Sequence, residues 1–233
     1  MRLVAIETAT AVTSVALGED DDAVEVLADD RRRHTEALAP CLAALLDERG
    51  WALADLDVVV VDVGPGLFTG LRVGVATAKG ISVATGVGLF GVSSTDVLAQ
   101  AACDAGIRGQ VVAVVDVRRG EVVAARYGCD AEGATELEVP ELATPSALAA
   151  RLAALGERLV AVGDGAARYN DVFGPAVDEV RHDLVVPSPR SALRLARRRL
   201  AAGAATLGHE SVHPWYAREA DAVANFFVRG SAT

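Results

Sequence analysis

Lysine is almost missing from this 233-residue chain: Lys79 stands alone against 21 arginines. Net charge is −10. A protein that gripped nucleic-acid phosphates over a broad face of its own would carry the opposite sign. Any nucleic acid in its function is therefore expected to be held by a partner, and touched here only indirectly or weakly. No apolar run reaches membrane-spanning length, because Arg72 and Lys79 interrupt the longest candidate. The N-terminus shows no basic region leading to an apolar stretch and a cleavage site, so the expected compartment is the cytoplasm. Cysteines number three, Cys41, Cys103 and Cys129, far apart and without CxxC spacing. The expectation is reduced, buried thiols.

Glycine is plentiful, with 22 residues. The most informative stretch is Gly64-Pro65-Gly66-Leu67-Phe68-Thr69-Gly70-Leu71-Arg72-Val73-Gly74. It follows the apolar run Val58 to Val61, which reads as a buried parallel strand, and it opens a small-residue helix over 70–85. A glycine loop at such a junction means that something comes close to the backbone, either an anion or another helix. Neither nucleotide fingerprint is met: the third glycine position of G-x-G-x-x-G is Thr69, and no G-x-x-x-x-G-K-[ST] occurs. Gly70, Gly74 and Ala78 share a helical face, and each helical glycine costs about 1 kcal/mol relative to alanine. A close helix contact, internal or with another chain, would offset that cost.

Periodicity gives strands over 2–8, 12–18 and 23–28, then a helix over 34–49 with an apolar stripe of Leu38, Leu42, Leu45 and Leu46. His34 or Thr35 is the expected cap, and Pro40 an expected kink. Strand 56–62, helix 70–85, strand 88–92 and helix 94–105 follow. A similar order begins again: strands 110–117, 121–128 and 135–139, helix 145–155, strand 159–162 and helix 166–173. A last helix over 188–202 carries Ser188 as cap and Pro189 at its first position. The expected organisation is a first lobe over 1–106, a second over 107–187, a final helix over 188–207 packing back on them, and a tail over 208–233. That tail is expected to be partly mobile, with periodicity only at 222–228. Two α/β lobes of duplicated βββαβαβ type are the pattern of the actin-like ATPase (ASKHA) superfamily.

Three constellations invite chemical readings. Glu7 and Thr8 at the end of the first strand, Asp116 at the matching place in the second half, and Gly163 and Gly165 resemble a minimal nucleotide site, which suggests a kinase or ATPase. Against this, the acids can simply cap strand ends. His209-Glu210-Ser211-Val212-His213 fits H-E-x-x-H, which requires a helix to bring both histidines to one face. Gly208 and Pro214 flank it, so the metallopeptidase reading and a metal site are rejected. Arg190, Arg194, Arg197 and Arg198, with Arg199 beside them, form a stripe that is either a solvated face or an RNA contact.

Several segments, in order, resemble the TsaB (YeaZ-type) family. They are Leu3–Thr10 with Ser14–Leu17, His34-Thr35-Glu36 with Leu38 and Pro40, Gly64–Gly74, Gly91-Val92-Ser93, Asp116–Glu121, and Pro214-Trp215-Tyr216-Ala217-Arg218. The resemblance implies a noncatalytic, actin-like subunit of the bacterial machinery that makes threonylcarbamoyladenosine next to the anticodon, in tRNAs reading codons that begin with A. It implies a homologous catalytic partner, TsaD, and a small ATPase, TsaE. It also implies a homodimer when the partner is missing, no intrinsic cofactor, and at most a nucleotide held at the partner interface. TsaD carries metal-binding histidines after the strand equivalent to Leu89–Val92, whereas Ser93–Ala99 here contains none. Glu7 replaces the family's usual Asp, and Val123 stands where an aromatic is common. The expected docking residues are Leu38, Leu42 and Leu45 on the first helix, and Gly70, Leu71, Gly74, Val75 and Ala78 on the second.

Overall fold

The computed structural model describes residues 1–20, 22–28 and 33–217. Arg218 and the 222–228 stretch lie outside them. The first lobe runs β1 (Arg2–Glu7), β2 (Thr13–Glu19), β3 (Asp22–Ala28), α1 (His34–Arg49), β4 (Val58–Asp62), α2 (Phe68–Thr85), β5 (Gly88–Val92) and α3 (Ser94–Asp104). The second runs β6 (Gly109–Asp116), β7 (Val122–Cys129), β8 (Ala134–Ala143), α4 (Pro145–Leu155), β9 (Leu159–Val162), α5 (Asp164–Arg168), α6 (Asn170–Phe173) and β10 (Glu179–Val180), and α7 (Pro189–Ala201) follows. The sheets have orders β3-β2-β1-β4-β5 and β10-β9-β6-β7-β8. In each, an antiparallel meander continues into parallel strands, so the two halves share one topology. This is the actin-like ATPase fold that the duplicated pattern predicts.

Strand β4 is buried on both sides, which is why Val58-Val59-Val60-Val61 has no polar alternation. Val59 and Val61 face α1 and α2, while Val58 and Val60 face α7. Fully burying one such side chain is worth roughly 1.5–3 kcal/mol.

The long helices cross between lobes. Helix α3 follows the last first-lobe strand, yet Leu98, Ala99, Ala102 and Cys103 pack on the second sheet. Helix α7 ends the fold, yet Ala192, Leu193, Leu195 and Ala196 pack on the first. In packing terms the boundary expected at 106 falls before α3. Asp104 locks the pair, accepting from Ser191 Oγ (2.8 Å) and Arg194 Nη1 (2.7 Å).

The arginine stripe of α7 is largely consumed by such contacts. Arg190 pairs with Glu25 and Arg199 with Asp96, and Arg198 donates to the carbonyls of Glu132 and Ala134. These three arginines and Arg194 staple α7 to its surroundings.

Four local expectations change. Arg33 takes the N-cap position of α1 without a side-chain cap, and His34 instead begins the helix. The helix expected over 166–173 divides at Tyr169, which leaves helical geometry, and Phe173 turns into the core. Cys103 and Cys129 are joined in a disulfide, against the expectation of reduced thiols, and Cys41 keeps its thiol. The tail is packed as far as Ala217: Val212 is buried, Trp215 N–H donates to the Val63 carbonyl (2.6 Å), and Ala217 joins the second-lobe core. Among the described residues no helix is long and apolar enough to cross a membrane.

Candidate functional site

The glycine segment meets its own chain, not an anion. A side-chain carbon on Gly66 would lie 2.3 Å from the Ala9 carbonyl oxygen, and one on Gly64 would lie 2.6 Å from the Trp215 carbonyl oxygen. Gly64 also has φ +112°, a conformation that favours glycine. Leu67 N–H donates to the Ala9 carbonyl at 2.7 Å. The loop, with a cis Gly64–Pro65 bond, is thus clamped between the β1–β2 turn and the returning tail.

Helix α2 continues that clamp. A carbon on Gly70 would stand 1.9 Å from the Thr8 carbonyl oxygen, and one on Gly74 would stand 2.3 Å from Thr8 Oγ1. Thr8 Oγ1 donates to the Gly70 carbonyl at 2.8 Å. The close approach that the helical glycines require is therefore internal. All eight residues expected at the docking face are buried in this chain's own core: Leu38, Leu42, Leu45, Gly70, Leu71, Gly74, Val75 and Ala78. Buried there, they are covered by this chain itself. The outer surfaces of the neighbouring helices expose Ala39, Pro40, Ala43 and Ala44 on α1, and Arg72, Ala76, Gly80 and Val83 on α2. Both helices pack on the same side of the first sheet. Arg72 is held in place: its guanidinium lies 3.8 Å from the Phe68 ring centre, and its Nε–H donates to Tyr216 Oη at 3.0 Å.

At the carboxyl ends of β1 and β4 sits a buried acid pair, Glu7 and Asp62. Glu7 Oε1 accepts from Ala9 N–H at 2.7 Å. Asp62 Oδ1 accepts from Gly64 N–H (2.7 Å) and lies 2.8 Å from Ser94 Oγ. Burial pushes both acids up, Glu7 well above its usual range, with the neighbouring Asp62 adding to it. Two like charges buried side by side are costly, which favours the neutral form of Glu7.

The facing lobe supplies Asp116 and Asp164. Asp116 accepts from Arg118 N–H (3.0 Å) and Arg118 Nη1 (2.9 Å), with Arg168 Nε at 3.5 Å. Asp164 accepts from the backbone N–H of Asp116 at 2.9 Å. Burial pushes its carboxyl up from 3.8 to about 6, and Asp116 adds to this. Of the residues read as a minimal nucleotide site, Glu7 and Thr8 lie at the end of β1, Asp116 ends β6, and Gly163 and Gly165 follow β9. Asp116 is taken up by arginines. Gly163 and Gly165 face β6, where added side-chain carbons would meet the Val114 carbonyl oxygen at 2.2 Å and Val114 Cγ1 at 2.8 Å. Among the described residues no three His, Cys, Asp or Glu side chains group as a metal site. Residues 209–211 form a turn and no helix covers His209–His213, so H-E-x-x-H lacks the geometry a zinc peptidase needs. Asp62 and Ser94 escaped the sequence reading. The signal was an acid ending an apolar strand directly before a glycine loop.

Asp164 gives a pH prediction. An acid raised from 3.8 to about 6 on folding loses stability as pH climbs through that window, on the order of 3 kcal/mol in full. Asp164→Asn keeps an oxygen for Asp116 N–H and carries no charge. It should be more stable than the parent at pH 7.5 and no more stable at pH 4, as checked by urea melts at both pH values.

Two lobes of this topology, with Glu7 and Asp62 buried in one and Asp116 in the other, define an actin-like ATPase fold. Residues 28–153 match the family model of TsaD, tRNA N6-adenosine threonylcarbamoyltransferase. The tRNA threonylcarbamoyladenosine biosynthesis protein TsaB of Escherichia coli is 32% identical over 94% of this chain and 95% of its own length. An uncharacterised protein of Mycobacterium tuberculosis is 40% identical over 55% of this chain and 59% of its own. The crystal structure of YeaZ from Pseudomonas aeruginosa superposes with TM-score 0.82 at 27% identity, over 92% of this chain and 99% of that one. The chain belongs to the TsaB family.

Proposed function

We propose that this chain is a noncatalytic subunit in the biosynthesis of threonylcarbamoyladenosine in tRNA, where it docks on the homologous catalytic subunit TsaD. The observation that carries the reading is a TsaB-family chain whose Asp116 is held by Arg118 and Arg168. Ser93–Ala99, directly after β5, holds no histidine, so the metal chemistry and the acyl transfer to adenosine fall to TsaD. The docking surface is the outer face of α1 and α2, where small residues let a partner's helices approach closely. A protein sharing this fold can present the same face to a second copy, so the isolated chain pairs with itself through it. TsaE joins the assembled pair, and a nucleotide, where one is held, belongs to the interface and not to this chain alone. With a charge of −10 the chain leaves most of the tRNA to its partners, in the cytoplasm where tRNA is modified.

Titration calorimetry of this chain with TsaD tests the docking. A saturable one-to-one complex with Kd in the micromolar range or tighter is expected. Absence of heat and of co-elution at 50 µM or so of each protein overturns it.

A further inference from the structure

Strand β7 holds α3 at two points. Near the start of α3, Tyr127 Oη lies 3.0 Å from both Thr95 Oγ1 and Asp96 Oδ1. At its last turn, Cys103 is bonded to Cys129, two residues along the same face of β7. Helix α3 is also where the chain passes from the first sheet to the second, and its end carries the Asp104 lock onto α7. The disulfide therefore ties the end of α3 to the second sheet, one residue before the Asp104 contact with α7. Both sulfurs are nearly buried, yet each borders an exposed turn: Ala105-Gly106 after Cys103, and Asp130–Glu132 after Cys129. Opening one turn admits a small thiol, and the core need not unfold. Protein disulfides in reducing compartments are commonly transient and regulatory.

We propose that Cys103 and Cys129 form a redox latch between α3 and β7, closed by a low-molecular-weight disulfide and opened by the corresponding thiol. In closing, one protein thiolate attacks the small disulfide and releases one small thiol. The second protein thiolate displaces the other. Two protein thiols become one S–S bond, and the small disulfide is reduced to two thiols. Opened, the latch releases the end of α3 from β7, while Asp104 still holds it to α7 and Tyr127 keeps its start in place. Stiffness of the α3–β7 contact then follows the thiol balance, with the fold intact.

The full chain is equilibrated in buffers spanning reduced to oxidised glutathione. It is then denatured, alkylated with N-ethylmaleimide, and weighed by mass spectrometry. Uptake should fall from three equivalents to one across the series, the survivor being Cys41. The melting temperature of the one-equivalent form should exceed that of the three-equivalent form by roughly 5–10 °C. A Cys103→Ser/Cys129→Ser double variant should melt with the reduced form whatever the buffer. Amide exchange in residues 103–109 and 128–134 should accelerate on reduction, with β4 unchanged. Three equivalents throughout mean that the bond does not form, and one throughout means a permanent staple. Either result overturns the latch, as does a melting temperature or exchange pattern that ignores reduction.

Discussion

Gly70→Ala should cost this protein about 3 kcal/mol or more. The added carbon would sit 1.9 Å from the Thr8 carbonyl oxygen, a backbone atom that cannot rotate away. Relief requires moving α2 or the β1–β2 turn, and both are clamped by Leu67 N–H on Ala9 and Thr8 Oγ1 on Gly70. Overpacking a tight core costs 1–3 kcal/mol and occasionally more. Two neighbours calibrate the claim. Gly74→Ala meets Thr8 Oγ1 at 2.3 Å, a hydroxyl that can turn aside, so it should cost less, and adding Thr8→Ala should restore part of the loss. Gly80→Ala meets nothing within 4 Å and should gain up to about 1 kcal/mol from helix propensity. Chemical denaturation of the three variants checks the order. A Gly70→Ala protein as stable as the parent would refute the internal clamp.

The second large effect belongs to the outer face of the same helix. Ala76→Arg should leave the melting temperature within a few degrees of the parent, because Ala76 is exposed. It should weaken binding to TsaD by about 100-fold or more, a loss near 2.7 kcal/mol and within the range of a central interface position. Calorimetry against TsaD gives the affinity, and a parallel melt confirms the fold. Undiminished affinity in a folded Ala76→Arg variant would put the docking face elsewhere, while the fold assignment would stand.

These variants trace how far the sequence could be read. The bounds of α1, β5, α4 and β9 were legible from apolar periodicity. The duplicated topology was legible from element order alone. The burial of the eight expected docking residues in this chain's own core was not. Apolar spacing identifies the face of a helix that must be covered, and Leu38, Leu42, Leu45 and the Gly70–Ala78 face are covered by their own sheet and by Thr8. An outer face of alanine, proline and glycine leaves no periodic signal. Asp62 was hidden as the last letter of an apolar strand, and its role appeared only when β1 placed Glu7 alongside. The disulfide was equally invisible, since 26 residues separate cysteines on a helix and a strand that only the lobe crossing brings together.

The most direct test of the central claim is transfer of labelled threonine to tRNA by the threonylcarbamoyl-adenylate synthase, TsaD and TsaE, with and without this chain. The account predicts label in tRNA when all four proteins are present. It predicts background label when this chain is omitted, and background label when TsaD is omitted. Full labelling without this chain, or labelling that persists with this chain in place of TsaD, would contradict a required but noncatalytic role.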